Sequence, residues 1–136
     1  MPPFPIHHIG IAVESISDSA PLYELLSGGR CSPVEEIASQ GVKVVFVGEV
    51  ELLEPTHPDT PVGRFLAKRG PGLHHIAYRV VDLPKELARL TADGMELIDR
   101  EPRAGAGGHR VAFLHPRSTG GILIELVDHH DGAHEG

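Results

Sequence analysis

Two histidine pairs open the apolar runs of this sequence. His7-His8-Ile9 starts one and His74-His75-Ile76 starts another, with the second histidine of each pair 67 positions apart (75 − 8 = 67). Each copy later reaches a carboxylate inside a short apolar run, Val50-Glu51-Leu52-Leu53 in the first and Ile124-Glu125-Leu126-Val127 in the second. Two imidazoles and two carboxylates make four candidate ligands, of the kind that N/O-preferring divalent ions accept. A carboxylate in such a run is costly to bury alone, and a divalent cation is the simplest partner for it. For Glu125 the competing reading is a salt bridge to an arginine such as Arg79. Glu54 lies close to Glu51, but only Glu51 holds the place in its run that Glu125 holds in the second copy.

Strand parity separates the two members of each histidine pair, because adjacent side chains on a strand point to opposite faces. His8 shares its face with Gly10 and Ala12, and His75 shares its face with Ala77. His7 and His74 fall in phase with Ile9/Ile11 and Ile76/Tyr78. Small neighbours leave room for an ion and a substrate, so His8 and His75 are the expected ligands and His7 and His74 the expected packing residues. A lone histidine would read as a hydrogen-bonded structural residue; its repetition favours the ligand reading. His57, between prolines, reads as a loop residue, and His129, His130 and His134 as part of a solvated tail. His115, in Phe113-Leu114-His115-Pro116, ends a strand and is a candidate ligand contact.

The elements that must position these residues read as one module written twice. Residues 6–13 alternate as a strand. A helix of about 18–26 follows, with Leu22, Leu25 and Leu26 at helical spacing, and stops at Gly28-Gly29. Strands are expected over 31–38, 42–48 and 50–54. Thr60-Pro61 looks like an N-cap and first-turn proline, with Val62, Phe65 and Leu66 as one stripe, and Gly70-Pro71-Gly72 ends this connecting helix. The second copy begins at Leu73 and runs through a helix of about 84–93, with Leu87 and Leu90 inward, to strands near 96–98, 110–115 and 122–127. Pro102 to Gly108 and Ser118 to Gly121 read as too glycine-rich for regular elements. The expected organisation is a single α+β domain: a first βαβββ module at about 5–55, a connecting helix at 56–72, a second module at 73–128 and a flexible tail at 129–136.

Bulk properties narrow the function classes. The chain has 136 residues, enough to bury one core without staples. Its net charge of −7 argues against nucleic acid as the main partner. One cysteine, Cys31, cannot form an internal disulfide, and no signal peptide or membrane-length apolar run is visible. A reducing cytoplasm and no membrane partner are the expectation.

In these same residues the chain resembles the vicinal oxygen chelate superfamily, and within it the methylmalonyl-CoA epimerases. The matching stretches are His8 to Val13, Gln40-Gly41-Val42, Glu51 to Pro55, Gly72 to Ala77, Gly105 to Gly108, Val111 to Pro116 and Gly121 to Leu126. The resemblance implies paired βαβββ modules forming a metal-binding cleft, with a divalent ion (Co, Mn, Zn, Ni or Mg) on His8, Glu51, His75 and Glu125. It also implies inversion of a carbon next to a thioester carbonyl, with Glu125 and Glu51 as the candidate proton-transfer groups. At Val44 some members place a glutamate proposed as an acid/base group, which this chain lacks. Gly105, Gly107, Gly108, His115 and Arg117 are the expected contacts to an acyl-CoA substrate, with Arg103 and Arg110 also beside the glycine-rich loops. A homodimer is the implied assembly. The alternatives are a glyoxalase I-like lyase acting on a glutathione adduct and a non-catalytic small-molecule binding protein. An extradiol dioxygenase fits less well, since four ligands leave too few open positions.

Overall fold

The computed structural model describes residues 4–129. Of the tail expected at 129–136, residues 130–136, with His130 and His134, lie outside the described residues. The chain divides into two compact units, His8–His74 in one and Met1–His7 with His75–Gly136 in the other.

In the first unit the chain runs β1 (Ile6–Ala12), α1 (Ile16–Ser27), β2 (Glu35–Ile37), β3 (Val42–Val47), β4 (Val50–Pro55) and α2 (Pro61–Arg69). The strands lie in the order β2-β3-β4-β1, with β1 parallel to β4 and the other pairs antiparallel. Helix α1 starts at Ile16, earlier than the leucine spacing implies, because Ser15 is its N-cap and its Oγ accepts from the Asp18 N–H at 3.1 Å. Glu54 Oε1 accepts from the Ile16 N–H at 2.8 Å, and Gly28 (φ 76°) closes the helix. The stripe that packs on the sheet is Ile16, Ala20 and Tyr23, against Val13, Val45 and Leu52. Leu22, Leu25 and Leu26 share the helical spacing but face outward, 53, 78 and 72% exposed. Two stripes compete on this helix, and the one continuous with Val13 is buried.

The strand expected over 31–38 shortens to β2 and a 3-10 turn, Ala38–Gln40. Before it, Ser32 engages Phe46 twice, its N–H donating to the Phe46 carbonyl at 2.8 Å and its Oγ accepting from the Phe46 N–H at 2.8 Å. Pro33 has no N–H with which to extend a ladder. Thr60 caps α2 by accepting from the Gly63 N–H, as its sequence implies.

The second unit holds most of β5 (Gly72–Arg79), then α3 (Leu83–Ala92), β6 (Arg103–Ala104), β7 (Arg110–Leu114) and β8 (Ile124–Asp128), with strand order β5-β8-β7-β6. Here β5 is parallel to β8 and the remaining pairs are antiparallel, repeating the βαβββ pattern of the first unit. Leu83 and Leu87 of α3 are buried with Val80, Ala112, Leu114 and Leu126, and Leu90 packs at the margin. The strand expected at 96–98 is reduced to a single bridge, Leu97 to Leu114. The glycine-rich stretch after Pro102, expected to be irregular, instead carries β6 and a 3-10 turn at Ala106–Gly108. Gly107 (φ 66°) and Gly108 (φ 78°) supply backbone angles that other residues rarely adopt.

The unit boundary cuts both histidine pairs. Residues up to His7 belong to the second unit, where the Pro5 carbonyl accepts from the Arg79 N–H at 2.9 Å and Phe4 packs against its core. Residues up to His74 belong to the first. No helix among the described residues is long and apolar enough to cross a membrane.

Candidate metal and active site

The second histidine of each pair is buried and the first is not, as parity requires. His8 and His75 are 4 and 3% exposed, on strands where Gly10 and Ala77 are the next residues on the same face. Pairing then delivers the carboxylates: Gly10 lies opposite Glu51, and Ala77 lies opposite Glu125. In the first unit His8 Nε2 stands 3.2 Å from Glu51 Oε1, and in the second His75 Nε2 stands 3.2 Å from Glu125 Oε1. Both glutamates are buried, so each unit holds one imidazole–carboxylate pair shielded from water.

This donor set fits a divalent ion. Two donors about 2.1 Å from a common ion are about 3.0 Å apart at a right angle and about 3.4 Å apart at a tetrahedral one. The separation within each pair lies in that interval. Gly10 and Ala77 leave the neighbouring space small-walled.

His7 and His74 lie against aromatic rings instead, His7 with His109 at 5.1 Å between centroids and His74 with Phe65 of α2 at 5.0 Å. Glu54 is set apart from Glu51 by its bond to the first N–H of α1. Arg79 is exposed, and its register partner on β8 is Val127, two residues along the strand from Glu125. Val44 is buried hydrocarbon, opposite Glu35 and Leu53.

The residues expected to contact a substrate occupy two turns of the second unit. A Cβ on Gly105 would come within 2.7 Å of Val111 Cγ1, so a close approach requires this glycine. His115 Nδ1 accepts from the Arg117 N–H at 3.0 Å, capping the 3-10 turn Pro116–Ser118. All three flanking arginines face carboxylates: Arg103 with Asp99 at 3.5 Å, Arg117 with Glu96 at 3.0 Å, and Arg110 with Asp128. Asp128 is buried and accepts from Arg110 Nε at 2.9 Å, Arg110 Nη2 at 2.6 Å and the Leu83 N–H at 2.8 Å. These bonds raise the Arg110 guanidinium above its ordinary value and commit it to joining β7, β8 and α3.

Two residues next to the pairs are absent from the candidates read out of the sequence. Phe46 lies opposite Glu51 and meets the His8 ring at 5.4 Å; Phe113 lies opposite Glu125 and meets the His75 ring at 5.8 Å. Their numbers differ by 67 (113 − 46 = 67), the offset that relates His8 to His75. That shared offset is the signal by which the sequence could have given them.

Residues 7–113 match the model of the glyoxalase/bleomycin resistance protein/dioxygenase superfamily. The chain is 45% identical to the uncharacterized protein YqjC of Bacillus subtilis, over 90% of this chain and 91% of that one. It is 38% identical to the mitochondrial methylmalonyl-CoA epimerase of Dictyostelium discoideum, over 90% of this chain and 77% of the relative. Among solved structures it is similar to a variant of Streptomyces coelicolor methylmalonyl-CoA epimerase in complex with 2-nitronate-propionyl-CoA. That similarity has a TM-score of 0.87 and 34% identity, covering 94% of this chain and 96% of the other.

Proposed function

Because the chain belongs to the glyoxalase/bleomycin resistance protein/dioxygenase superfamily, we propose that it is an isomerase interconverting the (R) and (S) epimers of methylmalonyl-CoA. The observation that carries this reading is the buried imidazole–carboxylate pair repeated in both modules. It occurs in a chain alike, over about nine-tenths of its length, to proteins named as methylmalonyl-CoA epimerases.

The reaction removes the proton from the carbon between a thioester carbonyl and a carboxylate and returns one to the opposite face. A divalent ion held at the site would supply Lewis acidity to stabilise the charge that develops on the substrate. His8, Glu51, His75 and Glu125 are its ligands in this reading, with Co, Mn, Zn, Ni and Mg all compatible with a nitrogen and oxygen donor set. Inversion needs a proton-transfer group on each side of the carbon. Glu125 takes the first of these roles and Glu51 the second, since Val44 offers only hydrocarbon. The acyl-CoA contacts are assigned to Gly105, Gly107 and Gly108 through their backbone, and to His115 and Arg117 on the following turn. A homodimer, by analogy with the family, and a reducing compartment such as the cytoplasm, from the single cysteine, complete the reading.

Incubation of metal-replete protein with one epimer in D₂O tests it. The expected result is inversion accompanied by deuterium at the α-carbon. Neither inversion nor exchange would overturn the assignment.

A further inference from the structure

We infer that Phe46 and Phe113 are positioning residues that hold the His8 and His75 imidazoles in the plane from which Nε2 addresses its glutamate. The inference rests on the metal reading above for its purpose, and on the geometry of each unit for its content.

A histidine side chain does not set its own ring plane. Its terminal torsion joins tetrahedral to planar carbon and has a broad, roughly twofold profile. Something outside the residue must select one orientation, and in metal sites that selection governs affinity. In each unit a phenylalanine is one neighbour in place to do so, beside the glutamate at Nε2. Phe46 stands 87° to the His8 ring at 5.4 Å, and Phe113 stands 87° to the His75 ring at 5.8 Å. Edge-to-face rings at 4.5–7 Å are a favoured aromatic arrangement.

The strand register explains why one residue can serve both members of a pair. Directly opposed residues in antiparallel strands project to the same face. Phe46 opposes Glu51 across β3 and β4, and Phe113 opposes Glu125 across β7 and β8. Each phenylalanine is therefore the cross-strand neighbour of the carboxylate and the ring neighbour of the imidazole. The arrangement recurs in both units, each assembled from its own residues, and at the same spacing of 38 from histidine to phenylalanine. A leucine would fill similar space but offers no flat face or edge to an imidazole.

Phe46→Leu and Phe113→Leu, with Phe46→Tyr and Phe113→Tyr as ring-retaining partners, test the inference in the full-length protein. Two readouts are needed, one with Co(II) bound and one with no metal. The leucine variants are expected to release Co(II) to a chelator about tenfold faster, with an altered visible d–d spectrum. The tyrosine variants should stay close to wild type. In metal-free, histidine-labelled protein, the leucine variants should show ring resonances of His8 or His75 broadened or averaged by reorientation, while the amide spectrum elsewhere is kept. Leucine variants with wild-type ring resonances would overturn the inference, as would wild-type release rates and d–d spectra in protein that binds Co(II). If wild-type protein took up no Co(II), the metal reading would fall, and the metal-free spectra would still decide the role of the two rings.

Discussion

At the scale of single residues, the two histidines of each pair have opposite fates for a reason that is wholly local. A strand turns successive side chains to opposite faces, so small neighbours at alternate positions mark the open side before any tertiary contact is known. His75→Ala is therefore expected to abolish tight metal binding, while His74→Ala largely preserves it, because His75 sits 3.2 Å from Glu125 and His74 packs on Phe65. Metal content after gel filtration in dilute chelator measures the difference, and equal retention by both variants would contradict it. Glu125→Gln keeps the shape of the side chain but removes its basicity. Exchange of the substrate α-proton, followed by NMR in D₂O, should slow by about 100-fold or more. Glu51 and Glu54 were harder to tell apart by type, and the repeat alone favoured Glu51. The structure gives the physical distinction: Glu54 is occupied with the first N–H of α1.

At the scale of elements, most of the helices and long strands were legible because their signals are short-range: Thr60 before Pro61, Gly28 after α1, alternation in β1, and short apolar runs in β3, β7 and β8. What failed were the short edge pieces at 31–38, 96–98 and 103–108, whose state depends on which strand offers them a partner. Gly63 shows how tightly one connection is built, since a Cβ there would lie 2.3 Å from the Pro58 carbonyl oxygen. Gly63→Ala should cost about 1–3 kcal/mol in urea unfolding. Gly72→Ala, with open space around it, should be nearly neutral in the same measurement. Asp128 ties Arg110 and the start of α3 together, yet nothing in Leu126-Val127-Asp128-His129 announces that role. Asp128→Ala strands the Arg110 charge and should cost about 3–5 kcal/mol, read from the denaturation midpoint at constant slope.

At the scale of the whole molecule, a ligand that binds only the folded chain raises its stability by mass action, about 2.7 kcal/mol at a concentration 100 times the dissociation constant. Exhaustive chelation should therefore lower the melting temperature and remove isomerase activity together, and readdition of one of Co, Mn, Zn, Ni or Mg should restore both. Recovery of full activity without metal would contradict the ligand assignment. The sequence by itself determined the doubled βαβββ plan, the residues of the two imidazole–carboxylate pairs and the face on which each histidine lies, since these follow from repetition and a period of two along the chain. Only the tertiary structure decided that Leu22, Leu25 and Leu26 face outward and that the residues before His8 join the second unit. Those outcomes turn on which distant strand supplies the neighbouring hydrogen bonds and apolar surface, and no local pattern encodes that choice.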